Sequence, residues 1–556
     1  MHYYKQHQAT IDQALAACAS RKYWSPFTES PSAALHEPGA HERGKAAFEA
    51  RLGKPFELTQ PGEIGRTGHE VSPYWQRPLG IDYPRVDVET VMQAADEAKR
   101  GWNKVDPAER AGLCMEMATQ LEKHCFENAY ATMHTAGQAF LMAYSGSGPN
   151  ALDRGVEALA YAHKAMQDVP GSATWTKPFG RAGDVSLDKS YRLMPRGVAV
   201  VVCCATFPMW NAYPAIFANL ATGNPVVVKP HPNGILPVAM AVATMRDILQ
   251  ESGHDPNLVI LAADTREEPI TIELLEHPKT AIIDYTGSQR FGLWIEEHCA
   301  NKLVFTETAG CNAVVIHSTD KLAGLISGLA NGLCGFSAQM CTSPQNIHIP
   351  TAGFASDEGH ISFDDFARRL SETISERLAE PKRAAAMCGA IQADESLQIL
   401  DRLRAEQSAQ LVLDSRPYAH PDFPDARTAT PMMLAVDNDQ RALYSEEHFA
   451  PVSFLIREES SEAALTNACE LAQSCGAISS YLYSTDADFT ELAKDSFAEA
   501  GASLWCNMTV PMPINFAAAY SDYHVTGLNP AGNACLADLA FVASRFRIVQ
   551  FREPAA

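Results

Sequence analysis

The stretch Ala221-Thr222-Gly223-Asn224-Pro225-Val226-Val227-Val228-Lys229-Pro230 decides the fold class. A Gly-Asn-Pro turn feeds three consecutive valines, and Lys-Pro ends the run. Branched apolar residues bounded by turn formers read as a strand buried on both faces. Similar runs lie on either side, at Val198–Val202, 258–261 and 281–285, and helical sequence such as 237–251 separates them. Strands alternating with helices predict an α/β fold with a mostly parallel, doubly wound sheet. In such sheets a ligand binds outside the carboxyl ends of the strands.

A second alternation follows, with strand-like runs at 312–316 and 345–349 and a helical segment at 362–378. Ahead of the first sheet, residues 86–170 read as mainly helical. Asp106-Pro107 is a helix start, with the acid at the cap and proline in the first turn. Leu113, Met117 and Leu121 then fall on one face. Residues 1–85 are rich in Pro, Gly and His but helical near 10–19, and read as an extension wrapped on the body. Gly146-Ser147-Gly148-Pro149-Asn150-Ala151 fits a loose dinucleotide fingerprint. It follows helical sequence rather than a strand, so it reads as a loop.

The 556 residues suffice for two or three packed units. With 44 basic and 66 acidic residues the net charge is −22, which argues against a nucleic-acid partner while allowing a local basic pocket. The first thirty residues lack the apolar core of a signal peptide. No window approaches the roughly 18 apolar residues of a membrane span. The 14 cysteines include no Cys-x-x-Cys pair, so no metal site is expected. Free thiols in that number suit a reducing cytoplasm.

Two residues carry the chemistry. Glu307 stands in Phe-Thr-Glu-Thr-Ala-Gly (305–310) and Cys341 in Ser-Ala-Gln-Met-Cys-Thr (337–342). A cysteine that attacks a carbonyl carbon must be available as thiolate, and an activated water must later release the acyl group. A carboxylate beside it can take the proton in either step.

These contexts resemble those of the aldehyde dehydrogenase superfamily, where Glu-Leu-Gly-Gly supplies the base and Gly-Gln-x-Cys the nucleophile. Further landmarks follow in the family's order: Arg196-Gly197-Val198-Ala199-Val200, the 221–230 stretch itself, Tyr285-Thr286-Gly287-Ser288 closing with Gly292, and Glu446-Glu447-His448-Phe449-Ala450-Pro451-Val452. The resemblance runs from about residue 85 to the end. It implies a doubly wound cofactor-binding domain at 86–308, a catalytic α/β domain at 309–513 and a C-terminal return at 514–556. Residues 172–191 and 541–551 resemble the family's oligomerisation strands, which implies a homodimer or homotetramer.

The resemblance also assigns roles. Cys341 becomes the nucleophile that forms a thiohemiacetal and then a thioester, and Glu307 the base that activates water. Relatives that pass the acyl group to coenzyme A generally lack this glutamate, so its presence implies release of a free acid. The family's oxyanion-binding Asn falls on Thr206 in an ungapped register, with Asn211 the other candidate. Lys229 is expected near the adenosine ribose, Thr286, Gly287 and Ser288 near the pyrophosphate, and Glu447 and Phe449 at the nicotinamide end. The glutamate that often follows three residues after the lysine is here Pro232, so NADP is expected to serve at least as well as NAD.

Within the superfamily, Phe207-Pro208-Met209-Trp210, Lys229-Pro230-His231-Pro232 and Thr526 to Gly532 resemble the phenylacetate-degradation (PaaN-type) branch. That implies a coenzyme A-linked semialdehyde as substrate and a separate hydratase-type enzyme as companion. Two alternatives stand beside this reading: a coenzyme A-acylating dehydrogenase, and a catalytically weak structural or binding subunit.

Overall fold

The computed structural model describes residues 1–510 and 512–555. At its centre lies a five-stranded parallel sheet in the order Val259–Leu261, Val226–Lys229, Val198–Val202, Thr280–Thr286, Leu303–Glu307. The chain starts in the middle strand, builds outward through Val226–Lys229 and Val259–Leu261, then returns to the other side with Thr280–Thr286. The reversal lies between Val198–Val202 and Thr280–Thr286, where Val202 pairs with Tyr285. Loops diverge at such a switch point and leave a crevice.

A seven-stranded sheet makes the second body, in the order Gln410–Leu413, Met432–Asp437, Val452–Glu458, Asn346–Pro350, Ala313–Ile316, Ser479–Tyr483, Ser503–Cys506. Only Gln410–Leu413, at one edge, runs antiparallel. The inner strands are buried along their length, as near-continuous apolar sequence requires. A third sheet joins Ser172–Pro178, Asp184–Pro195 and Phe546–Pro554 in antiparallel register. It leaves Trp175, Phe179, Ile548 and Phe551 exposed.

Three details differ from the sequence expectation. Residues 541–551 do not form one strand: Asp538 caps a short helix, Leu539–Ala543, by accepting from the Phe541 N–H (2.6 Å), and the strand begins only at Phe546. Pro149 is not a loop residue but opens the helix Pro149–Gln167, where its missing N–H breaks no intrahelical bond. The helix Pro107–Glu122 is capped by Asp106 as expected, yet it is buried around most of its circumference rather than on one stripe. It lies between Pro149–Gln167 and the N-terminal helix His2–Ser20. Gly112 permits that approach, since a Cβ there would meet the Tyr4 backbone nitrogen at 2.2 Å.

Candidate active site

The Glu307 backbone is fixed first. It ends the strand Leu303–Glu307, and the C-terminal return clamps it from outside. Thr308 N–H donates to the Ala531 carbonyl (2.7 Å) and Thr306 N–H to Asn533 Oδ1 (2.8 Å), while Glu307 bridges to Gly532. Gly310, the last residue of the motif, passes under Gly476, whose carbonyl oxygen would lie 2.2 Å from any Cβ. The Gly287 N–H donates to the Glu307 carbonyl (3.2 Å), which ties the 286–288 turn to the same strand end.

Cys341 follows a tight left-handed turn, in which Phe336, Ser337 and Ala338 all have φ near +50°. Each such non-glycine residue costs about 1–3 kcal/mol and persists only where its surroundings enforce it. Here Ser337 Oγ donates to the Cys388 and Ala429 carbonyls, and Gln339 Nε2 to those of Phe336 and Ala390. Gln339 Oε1 accepts from the Gln392 N–H (2.8 Å). Asn312 staples the far side: its Nδ2 donates to the Cys341 and Ser343 carbonyls, and its Oδ1 accepts from the Ile478 and Ser479 N–H groups.

These supports bring Cys341 Sγ to 4.0 Å from Glu307 Oε1, with Glu307 buried. Oε1 also accepts from Asn211 Nδ2 (2.7 Å) and faces His524 Nε2 at 2.9 Å, whereas Oε2 has no protein partner among the described residues. The Asn211 amide orientation is coherent, because its Oδ1 faces the Cys204 thiol (3.7 Å) while its nitrogen faces a group that can only accept. Burial, with the neighbouring Glu307, Cys204 and Glu447, pushes the Cys341 thiol well above its ordinary range. Cys341 therefore needs a base to become nucleophilic.

A cavity of about 600 Å³ extends from Cys341 toward the switch point. Its wall includes Thr206, Asn211, Lys229, Thr286, Gly287, Ser288, Glu447 and Phe449, so all the sequence-derived positions except Glu307 line it directly. Glu307 lies just behind, bordering a smaller space shared with Asn211 and Tyr285. Thr206 is buried, and its carbonyl accepts from Gln138 Nε2 (2.6 Å). Ser288, on the cavity wall, stands at the N-cap position of the helix Gln289–His298 without a side-chain capping bond.

Lys229 Nζ is 2.6 Å from Asp264 Oδ1, both side chains buried, and donates to the Pro230 carbonyl. Burial pushes the ammonium down and the carboxyl up, each opposed by the other's charge. Burial alone raises the Glu447 carboxyl to about 8. At the mouth, Arg266 pairs with Glu395 across the cleft (2.6 Å).

His524 carries no local signal of function, being a single histidine in Ser-Asp-Tyr-His-Val-Thr-Gly (521–527), and only the return of the C-terminal segment brings it to Glu307. The expectation of no metal site rested on cysteine spacing. Glu307, Cys341 and His524, far apart in sequence, nevertheless bring one ligand atom each within 4.8 Å of one another, a set that could hold an ion. No described helix is long and apolar enough to cross a membrane.

Comparison with known proteins agrees with this architecture. Over its full length the chain superposes on the crystal structure of an NAD-dependent aldehyde dehydrogenase from Burkholderia multivorans, with a TM-score of 0.98, 42% identity and 99% of that chain covered. It shares its fold with a Thermus 1-pyrroline-5-carboxylate dehydrogenase with bound NAD (TM-score 0.73, 18% identity, 96% of this chain and 100% of that one). In sequence it is 26% identical over 394 residues to the 1-pyrroline-5-carboxylate dehydrogenase of Bacillus licheniformis, spanning 68% of this chain and 70% of that protein. The aldehyde dehydrogenase family profile matches residues 75–516. The chain is thus an oxidoreductase and belongs to the aldehyde dehydrogenase family.

Proposed function

We propose that this enzyme oxidises an aldehyde to a free carboxylic acid through a thioester on Cys341. The observation that carries the reading is the pairing of a cysteine, held behind a left-handed turn and stapled by Asn312, with a buried carboxylate 4.0 Å away. The thiol proton passes to water as Sγ adds to the aldehyde carbon, so this first step does not require Glu307. The Thr206 hydroxyl and the Cys341 N–H stabilise the developing oxyanion. Thr206 is preferred to Asn211 because the Asn211 amide is already committed to Glu307. Water activated by Glu307 then attacks the thioester carbonyl, the C–S bond breaks, and the proton returns to sulfur. Coenzyme A would make this glutamate unnecessary, which disfavours an acylating dehydrogenase.

The cavity suits a nicotinamide dinucleotide. Its length reaches from Lys229 to Phe449, and Glu447 is a half-buried carboxyl on its wall that ribose hydroxyls would satisfy. Bound there, the cofactor supplies the acceptor for the hydride that leaves the substrate carbon. The sequence favours NADP, since Pro232 offers no carboxylate to repel a 2′-phosphate. Asp264 bears the other way: it neutralises Lys229 and adds a carboxylate from just beyond the neighbouring strand. NAD is therefore the cofactor we propose, with NADP accepted less well. The bare apolar face of the outer sheet supports a homodimer or homotetramer.

For the substrate we propose a semialdehyde. The motif resemblance supports one linked to coenzyme A in aromatic-acid degradation, with a separate hydratase-type enzyme alongside. The names of the Bacillus and Thermus relatives favour a second reading, 1-pyrroline-5-carboxylate. Cofactor reduction without added coenzyme A, measured with each compound in turn, separates them. The first reading expects kcat/KM at least tenfold higher for the coenzyme A-linked semialdehyde, and a reversed ratio refutes it. A requirement for free coenzyme A would refute the hydrolytic mechanism.

A further inference from the structure

We propose that His524 is a positioning residue for the deacylation base, holding Glu307 beside Cys341 from the C-terminal return, and that the N-terminal extension locks the segment that carries it. The inference rests on the hydrolytic dehydrogenase reading above.

His524 is buried, with Nε2 at 2.9 Å from Glu307 Oε1 and 3.7 Å from Cys341 Sγ. Among the described residues, Asn211 and His524 make the two short contacts to the Glu307 carboxylate, both on Oε1, with Cys341 Sγ farther off at 4.0 Å. Oε2 is buried without a protein partner among the described residues, which leaves it as the oxygen to take the proton of the attacking water. Without His524 the carboxylate could swing about its single remaining hydrogen bond, and its distance to the thioester would no longer be fixed. A base displaced by about 1 Å loses on the order of 100-fold in rate.

The segment around His524 is built to be rigid. Tyr520 and Val525, which bracket it, both adopt left-handed backbone (φ 62° and 63°). A β-branched residue there is a genuine outlier, and such strain is kept where the surroundings over-determine it. Arg154 Nη1 donates to the Asp522 carbonyl (2.8 Å), and its guanidinium lies over Trp210, whose ring meets His524 edge-on at 4.7 Å. The Leu536 N–H donates to the His524 carbonyl (2.9 Å).

The extension completes the lock. Arg21, which ends its first helix, stacks over the Tyr523 ring at 4.0 Å and shares Glu157 with Arg154. Trp24 packs edge-on against Tyr520 at 5.5 Å. Residues before the family match thus form the outer layer of the wall that aims the base.

The reaction this serves balances without another reactant. Water gives one proton to Glu307, its oxygen bonds to the thioester carbon, the C–S bond breaks, and Glu307 returns the proton to sulfur. Loosening Glu307 slows this step, while the hydride has already left in the preceding one.

The test uses the full-length enzyme with a turned-over aldehyde and NAD. In His524→Ala, kcat is expected to fall on the order of 10- to 100-fold with KM for NAD within about threefold. Rapid mixing is expected to give a burst of reduced cofactor equal to the active sites, and intact-mass analysis an acyl adduct on Cys341. His524→Gln, whose amide can donate to Oε1, is expected to recover most of kcat and abolish the burst. Equal impairment of both variants, or loss of kcat without burst or adduct, would overturn the positioning role. Normal wild-type turnover with an unaffected His524→Ala defeats this inference alone. A wild type that reduces no cofactor with any aldehyde defeats the dehydrogenase reading with it.

Discussion

Arg545 and Asp284 offer the sharpest test of how the C-terminal return is held. Arg545 Nη2 and Nη1 donate to the two Asp284 carboxylate oxygens at 2.6 and 2.8 Å, with both side chains buried. The guanidinium also reaches Asn219 Oδ1 and the Phe541 carbonyl, and lies between the Phe305 and Phe541 rings at 4.2 and 4.1 Å. Asp284 belongs to the strand that ends at Thr286, so the pair joins the return segment to the cofactor-side sheet. Arg545→Met keeps much of the volume but strands a buried carboxylate, a loss of about 3–5 kcal/mol. If local opening of the return needs this pair to break, hydrogen exchange in peptides covering 536–550 is expected to quicken by about 100-fold or more. Peptides from Asn346–Pro350, in the other sheet, are expected to stay unchanged. Arg545→Met/Asp284→Leu replaces the pair with apolar side chains and is expected to regain at least about 2 kcal/mol of that protection. Unchanged exchange in the single variant, or a double variant that loses the sum of both, would refute the reasoning.

Other outcomes follow from the site. Thr206→Ala is expected to lower the rate of the first cofactor-reducing turnover by on the order of 10²-fold. Asn211→Ala is instead expected to slow steady-state turnover while sparing that first step, and the opposite pattern would transfer the oxyanion role to Asn211. Without cofactor, alkylation of Cys341 by iodoacetamide is expected to rise about tenfold per pH unit through pH 9 without levelling, because the thiol is pushed up and only the thiolate reacts. Glu307→Gln removes a negative neighbour, which lowers the thiol's pKa, so alkylation at a fixed pH 8 is expected to quicken; a plateau near pH 7 in the wild type would contradict both. Zinc ions are expected to inhibit reversibly by bridging Glu307, Cys341 and His524, and His524→Ala to weaken that inhibition on the order of tenfold or more. Inhibition indifferent to His524 would place the zinc elsewhere.

Much of the architecture was legible because its signal is local. The valine runs at Val198–Val202 and 226–228 are strands since branched apolar sequence between turn formers has few other uses. Glu307 and Cys341 stood out because each needs an unusual backbone around it, a clamped strand end and a left-handed turn, and those constraints leave short motifs behind. His524 left none. Its position depends on a return of the chain across more than two hundred residues to Glu307, and no spacing rule encodes that contact. Lys229 was legible as a strand-end cation, but its neutralisation by Asp264 was not, because the acid comes from the end of the neighbouring strand. Pro149 misled for a different reason: proline disrupts a helix interior and suits its first turn, and only the boundary decides which applies.

The central claim is that Cys341 carries the acyl group and that water assisted by Glu307 removes it. It is tested most directly by mixing Glu307→Gln enzyme with aldehyde and NAD, quenching in acid, and locating added mass by peptide mass spectrometry. The account predicts one acyl group per subunit on the peptide containing Cys341, formed with one equivalent of reduced cofactor, and no adduct in Cys341→Ala. Cofactor reduction that persists in Cys341→Ala, or an acyl group on another residue, would contradict it.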